Sequence, residues 1–418
     1  MRTAYSLILY LLVPVVLLRL LFRSVKLPGY RKRIAERFAF FSGAPERVVW
    51  VHAVSVGETI AASPVINALL KQNPDQKILL TTSTPTGSAQ ALEIFGERIL
   101  HVYAPYDLPT VVKRFLKHFD VSLLVVMETE IWPNLFYQCH QHHIPVLLAN
   151  ARLSEKSMQG YLKLASLSRA TVRCITRIAA QSEADAERFI KLGADKDKVS
   201  ITGSIKFDLN IEQSLRESAD VLRRELGINR KIWIAASTHE GEEALLLNIL
   251  TLLQSSEPDL LLMLVPRHPD RFDKVATFCE KRGFTLVRRS HGASCDQATR
   301  IYLGDSMGEL LLMYAAADIA FVGGSLVAVG GHNLLEPAAL GLPVVTGPYL
   351  FNFADISQRL QEVNGMLKSE DADQLASNME MLLRDDTLRQ KMGENARLFV
   401  EQNRGSLEKL LELIYTLH

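Results

Sequence analysis

The stretch GGSLVAVGGHNLLEPAALGLPVVTGP, residues 323–348, has the chemistry of a nucleotide-sugar site. Gly323, Gly324, Gly330, Gly331 and Gly341 crowd the segment behind an apolar run, so backbone and ligand could approach closely. Asn333 is expected to start a helix whose positive end faces that ligand. Glu336, one turn in, has two oxygens that could accept hydrogen bonds from a ribose diol. The pattern is neither GxGxxG nor a P-loop. Two neighbouring stretches fit the same chemistry. In LLLMLVPRHPDRF, Arg267 follows Pro266 and could grip a phosphate through its planar fork, or be a plain surface arginine. In GDSMGEL, Asp305 or Ser306 could cap a helix beginning near Gly308, with Glu309 in its first turn. The N–H groups of Met307, Gly308 and Glu309 could also contact a base or ribose.

The first half of the chain differs. VVWVHAVSVGETIAASPVI, residues 48–66, runs from a strand-like start into helical spacing at about Thr59. The turn between carries Glu58, which would repel a phosphate. A helix N-terminus should keep that carboxylate ionised and weaken it as a base. VVMETEIWPNL, residues 125–135, ends an apolar strand with Glu128 and Glu130. A carboxylate at the exit of a buried strand needs a partner or a role. Lys206, in GSIKFD, falls near the middle of the chain, where a hinge lysine would also fit.

The elements that must hold these residues alternate. Strands are expected at 48–54, 77–82, 98–103, 121–127, 144–149, 178–181 and 199–202, with helices such as 59–71 and 86–95 between. After a polar segment the rhythm restarts at 231–237, 260–265, 284–288, 300–303, 318–322 and 343–346, and a charged helical tail covers about 371–417. This is the βαβ pattern of parallel sheets covered by helices. It predicts an α/β protein of two doubly wound halves facing a cleft, with ligands beyond the C-terminal strand ends. The boundaries expected are 1–25 for an N-terminal extension, 26–210 for the first domain and 211–418 for the second, which takes the C-terminal helices.

A formal net charge of +1 over 418 residues argues against wholesale nucleic-acid binding. Tyr5 to Phe22 carries a single charge, Arg19. As a helix it would be about 27 Å long, near the thickness of a bilayer core of about 30 Å. Arg23, Lys26, Arg31, Lys32, Arg33 and Arg37 follow it. The run reads as an uncleaved membrane anchor with the rest of the chain on the cytoplasmic side. Pro14 and Arg19 leave open whether it spans the bilayer or lies in its interface. Cys139, Cys174, Cys279 and Cys295 show no motif spacing and suit free thiols. Cys139 with His140, His142 and His143 reads as a polar helix end rather than a metal site.

VSVGE, METEIWPN, GSIKFD, PRHPDRF, GDSMGEL and GGHNLLEPAALGLPV, in that order, resemble the 3-deoxy-D-manno-octulosonic acid (Kdo) transferases of lipopolysaccharide synthesis. The resemblance extends from the N-terminal anchor to about residue 355. It implies a GT-B fold of two Rossmann-like domains. It implies CMP-Kdo as donor, the lipid A precursor lipid IVA as acceptor, and an inverting transfer without metal or other cofactor. By motif, the base falls on Glu58, and Glu128 and Lys206 assist the transition state. CMP contacts fall on Pro266 and Arg267, on Met307, Gly308 and Glu309, and on Asn333, Leu334, Leu335 and Glu336. The cell inner membrane, cytoplasmic face, is the expected location, with the basic residues meeting anionic lipids. A UDP-sugar transferase or epimerase of the same fold, and a non-catalytic lipid-binding protein, are the competing readings.

Overall fold

The computed structural model describes residues 1–43, 46–209 and 211–418. The chain divides into two compact units, Met1–Asp208 with Arg404–His418, and Leu209–Asn403. Asn210, the expected end of the first domain, lies outside the described residues.

The first unit holds β1 (Glu46–His52), β2 (Ile78–Thr82), β3 (Leu100–Tyr103), β4 (Phe119–Met127), β5 (Val146–Ala151), β6 (Arg177–Ala180) and β7 (Val199–Ile201). They pair in the order β3-β2-β1-β4-β5-β6-β7, all parallel. The second unit holds β8 (Ile232–Thr238), β9 (Leu261–Pro266), β10 (Leu286–Arg288), β11 (Ile301–Leu303), β12 (Ile319–Val322), β13 (Val344–Thr346) and β14 (Met366–Lys368). Their order is β10-β11-β9-β8-β12-β13-β14, again all parallel. Helices cover both faces, so central strands such as β5, β8 and β9 are buried along their whole length. Every strand expected from the sequence is present. β14 is additional. The connections pass from one side of the sheet's first strand to the other between β1 and β4 in the first unit and between β8 and β12 in the second. Those crevices are where an open parallel sheet accepts ligands.

The last helix departs from the expected domain boundary. Ser406–Leu417 belongs to the first unit, not the second. Its Leu410 and Ile414, one turn apart, pack into the core formed with Val65, Ile66 and Leu69. Asp208 ties its start down by accepting from the N–H groups of Gly405 and Leu407, both at 2.6 Å.

The N-terminal helix Arg2–Lys26 is long and apolar enough to cross a membrane. One face is nevertheless docked on the first unit. The Tyr5 hydroxyl donates to Asp107 at 3.0 Å, the Ser6 hydroxyl donates to Asn134 at 3.0 Å, and Arg2 lies over the Tyr137 ring. Leu9 and Val13 pack beside the core. The opposite face, with Leu7, Leu11, Val15, Leu18, Phe22 and Val25, is exposed. Of the basic run, Arg23, Lys26, Arg31 and Lys32 are exposed. Arg33 and Arg37 are not free to meet lipid: Arg33 bonds Glu36 and the His101 carbonyl, and Arg37 is buried against Tyr103. Asp107 also accepts from the N–H groups of Asn134 and Leu135, capping the helix Pro133–Gln141 that Trp132 leaves uncapped. Deleting residues 1–22 should therefore lower the melting temperature as well as membrane co-sedimentation. Tyr5→Phe alone should lose about 1 kcal/mol of stability. Unchanged melting in both would mean the docked face contributes nothing.

The cysteine–histidine cluster diverges. Cys139 is buried in the core, whereas His140, His142 and His143 are exposed.

Candidate active site

In the first unit the carboxylates converge on the crevice between β1 and β4. Ser55 caps the helix Val56–Gln72, its hydroxyl oxygen accepting from the Glu58 N–H at 3.3 Å. The Glu58 carboxylate reaches back and accepts from the Val54 N–H at 2.7 Å and the Ser55 hydroxyl at 3.1 Å. This is a capping box closed one residue early. Glu58 is not the strongly ionised group expected of a helix start. Burial pushes its carboxyl up to about 7, Glu130 and Glu128 push the same way, and the two donors offset only part of this. Loss of water outweighs the helix end.

β4 leaves the sheet through Glu128, whose φ of 57° is unusual for a residue with a Cβ. Such backbone strain persists only where surrounding structure enforces it. Glu130 accepts from the Trp132 indole N–H at 2.7 Å, and burial raises its carboxyl too. Glu130 acts on Glu58 more strongly than Glu128 does. The Trp132 ring meets His52 edge-on, and burial holds that imidazole neutral, near 3. β5 also exits through a left-handed residue, Asn150, whose side-chain oxygen accepts from the Ile205 N–H at 3.3 Å. That bond brings the turn Ile205–Phe207 to the end of β5, and the same turn touches the helix Val56–Gln72. Ile205 and Phe207 are buried in it and Lys206 is exposed.

In the second unit β11, β9, β8 and β12 are neighbours, so their exits lie side by side. Pro266 is the buried last residue of β9. The Arg267 N–H donates to the Thr238 carbonyl at 3.0 Å, and its side chain is exposed. Met307 and Gly308 are exposed behind β11, with Gly308 at φ 81°. Glu309 pairs with Arg289 at 2.7 Å and accepts from the Ser306 hydroxyl. The helix starts at Leu310, not Gly308, and neither Asp305 nor Ser306 caps it. Asp305 instead accepts from Ser290 and Arg288.

The glycine-rich stretch is built differently from the sequence reading. Fully buried Glu242 accepts from the N–H groups of His239, Gly324, Ser325 and Leu326 at 2.8–3.0 Å. The N–H groups of Gly330 and Gly331 both donate to the Gly324 carbonyl. A Cβ on Gly330 would come within 2.4 Å of the Phe351 ring. These glycines thus let the loop fold on itself, and their amides are already used. The helix that follows begins at Leu335, not Asn333, and its five residues give little macrodipole. Asn333 organises its start: its side-chain oxygen accepts from the Leu335 N–H at 3.1 Å and its amide donates to Glu336 at 3.0 Å. Leu334 and Leu335 are buried, so only their backbone could meet a ligand. Burial raises the Glu336 carboxyl, while Asn333 and Arg267 hold it down.

Sequence reasoning missed His239 and Glu242. The available signal was HEGEE, a histidine and three carboxylates directly behind the apolar strand β8.

Residues 32–209 match the family model described as 3-Deoxy-D-manno-octulosonic-acid transferase (kdotransferase), and residues 229–399 match glycosyl transferases group 1. A 3-deoxy-D-manno-octulosonic acid transferase of Haemophilus influenzae is 44% identical over 417 residues, 99% of this chain and 98% of the relative. The C-terminal CMP-Kdo binding domain of WaaA from Acinetobacter baumannii aligns at 37% identity and a TM-score of 0.43, over 46% of this chain and 100% of that one. The UDP-GlcNAc 2-epimerase of Neisseria meningitidis aligns at 16% identity and a TM-score of 0.57, over 89% of this chain and 100% of that one. This last likeness is one of fold.

Proposed function

The chain belongs to the 3-deoxy-D-manno-octulosonic acid (Kdo) transferase family of lipopolysaccharide synthesis, and from that premise we propose that it moves Kdo from CMP-Kdo to lipid IVA, with inversion, without a metal, and with Glu58 as general base. The observation that carries the reading is the Glu58 carboxyl itself. It sits at a strand-to-helix turn, fixed by two hydrogen bonds, with its proton affinity raised to about 7. A general base works best when its pKa lies near the working pH.

In this scheme the acceptor hydroxyl gives its proton to Glu58 as its oxygen attacks the anomeric carbon of Kdo. The bond to the CMP phosphate breaks on the opposite face, and CMP leaves as a phosphate monoester. Glu128 and Lys206 act on the first unit's side of the transition state. Lys206 is exposed and makes no hydrogen bond or ion pair among the described residues, so its charge is available. The second unit holds CMP. Arg267 takes the phosphate, Glu336 the ribose, and the backbone of Pro266, Met307–Glu309 and Asn333–Leu335 the remaining polar edges. The exposed apolar face of the helix Arg2–Lys26, with Arg23, Lys26, Arg31 and Lys32, supports attachment to the anionic cytoplasmic face of the inner membrane.

The test is mass spectrometry of lipid IVA incubated with the protein and freshly generated CMP-Kdo, beside Glu58→Ala. A product heavier by one or more Kdo units, absent with the variant, is expected. Folded wild-type protein that gives no product would sink the donor–acceptor assignment and favour another sugar nucleotide.

A further inference from the structure

The motif METEIWPN ends in Trp132, Pro133 and Asn134, to which the transfer scheme gives no part. Asn134 is fully buried. Its backbone N–H donates to Asp107 Oδ2 at 3.1 Å, and its side-chain NH₂ donates to the Asp107 carbonyl at 2.7 Å. Its side-chain oxygen faces the N-terminal helix, accepting from the Ser6 hydroxyl at 3.0 Å, with Arg2 Nη1 at 3.5 Å. The Leu135 N–H and the Tyr5 hydroxyl donate to the Asp107 carboxylate, at 2.7 and 3.0 Å. Asp107 and Asn134 thus join the helix Arg2–Lys26 to the helix Pro133–Gln141. A polar network of this kind holds one geometry as long as its members keep their partners.

Trp132 stands directly before the second of those helices. Its carbonyl accepts from the Phe136 N–H at 3.0 Å, and Pro133 at the first helical position fixes its own φ, so the helix start sets the backbone of Trp132. On the other side its ring lies edge-on to His52, with centroids 4.6 Å apart and planes at 78°. His52 is fully buried on β1 and held by the Thr81 hydroxyl at 2.8 Å. Between these supports the indole N–H is aimed at Glu130, 2.7 Å away. A hydrogen bond to a carboxylate is one of the strong ones. It fixes the carboxylate that acts on Glu58 more strongly than Glu128 does. A like charge beside a base makes that base bind its proton more tightly.

Taking Glu58 as the base, we propose that the N-terminal helix is part of the active site's support: docked through Ser6 and Tyr5, it holds Asn134 and Asp107, hence Trp132, and so positions Glu130 beside Glu58. Ser6, Asn134 and Trp132 are positioning residues, since the scheme brings none of them to the reacting atoms. The two sides of the helix then have separate tasks. The exposed apolar face meets lipid, and the docked polar edge steadies the neighbour of the base. Transfer therefore depends on the docked edge even when the acceptor is dispersed in detergent and no bilayer is present.

Ser6→Leu and Asn134→Ala in the full-length protein test this. Leucine overfills the seat against Asn134 and removes its donor, while leaving the helix apolar. With detergent-dispersed acceptor, each variant should lose about 10–100-fold in kcat, the scale of a misplacement that starts far from the chemistry. KM for CMP-Kdo should not change, because in this scheme the second unit carries the donor contacts. The chain has three tryptophans, few enough for their indole N–H resonances to be assigned. The Trp132 signal should move upfield and exchange faster with water as its bond to Glu130 is lost. The Trp50 signal, from an indole bonded to Thr81 at 2.8 Å, should stay in place. Wild-type kcat in both variants, or an unmoved Trp132 signal, would overturn the proposal. So would equal movement at Trp132 and Trp50, which is general loosening. Should Asn134→Ala fail to fold, Ser6→Leu decides alone. If Glu58→Gln keeps wild-type turnover the base is misassigned, and the Trp132 signal still decides whether the helix holds this arm in place.

Discussion

Glu58→Gln should reduce Kdo transfer by about 10²–10⁴-fold, the range spanned by a general base, while making the folded protein more stable at pH 8. The two effects have one cause. The carboxyl rises from an ordinary value of 4.5 to about 7 on folding, chiefly through burial. The folded state therefore binds the proton more tightly than the unfolded chain. Stability from this group is fully present below pH 4.5 and is lost as pH rises through 7. At pH 8 the wild-type protein carries a half-buried charge that glutamine removes. The amide oxygen can still accept from the Val54 N–H, and the amide nitrogen can donate to the Ser55 hydroxyl. Turnover follows the opposite sign, because only the ionised base accepts a proton. Wild-type kcat should fall about tenfold per unit below pH 7 and level off above it. Rates across pH 5.5–8.5, with melting curves of both proteins at pH 5 and pH 8, check both halves. Near-normal turnover in the variant, or a flat wild-type profile, would remove Glu58 from the chemistry.

The architecture was legible because parallel strands buried on both faces read as apolar, β-branched runs. VVWVHAV, LLVVM and LLMLVP announce β1, β4 and β9 without tertiary information. Glu58 and Glu128 were legible as carboxylates just past such runs. The state of Glu58 was not, since it depends on burial and on Glu130, which reaches it from the loop after β4. The C-terminal helix was assigned to the second half because a sequence shows an apolar stripe but not what covers it. The docked face of the N-terminal helix escaped notice for a similar reason. Tyr5 and Ser6 look like minor breaks in an apolar run until Asp107 and Asn134 are found beside them. The glycine-rich stretch was recognised for its density, and the use of its amides was misread. Their acceptor, Glu242, stands more than eighty residues away in sequence.

That acceptor yields the second large effect. Glu242→Gln should destabilise the second unit by about 2–6 kcal/mol, at about 1–3 kcal/mol for each of the two buried donors left without an acceptor, although it alters no shape. One carboxylate oxygen accepts from His239 and Gly324, the other from Ser325 and Leu326. Burial raises this carboxyl and the four N–H groups hold it down. Glutamine offers one oxygen and one NH₂ group. Whichever way the amide turns, two backbone N–H groups face a donor instead of an acceptor, inside a region closed to water. Hydrogen exchange is the direct readout. Protection should fall at those four amides and along β12, and CMP affinity should fall with it, because the same loop carries Asn333. The first unit's exchange pattern should not change. Wild-type protection in the variant would mean that water or a shifted loop replaces the carboxylate. The expected loss would have a mechanistic reason: with the nest at 324–326 filled by the protein's own anion, a nucleotide phosphate has to be held by side chains such as that of Arg267.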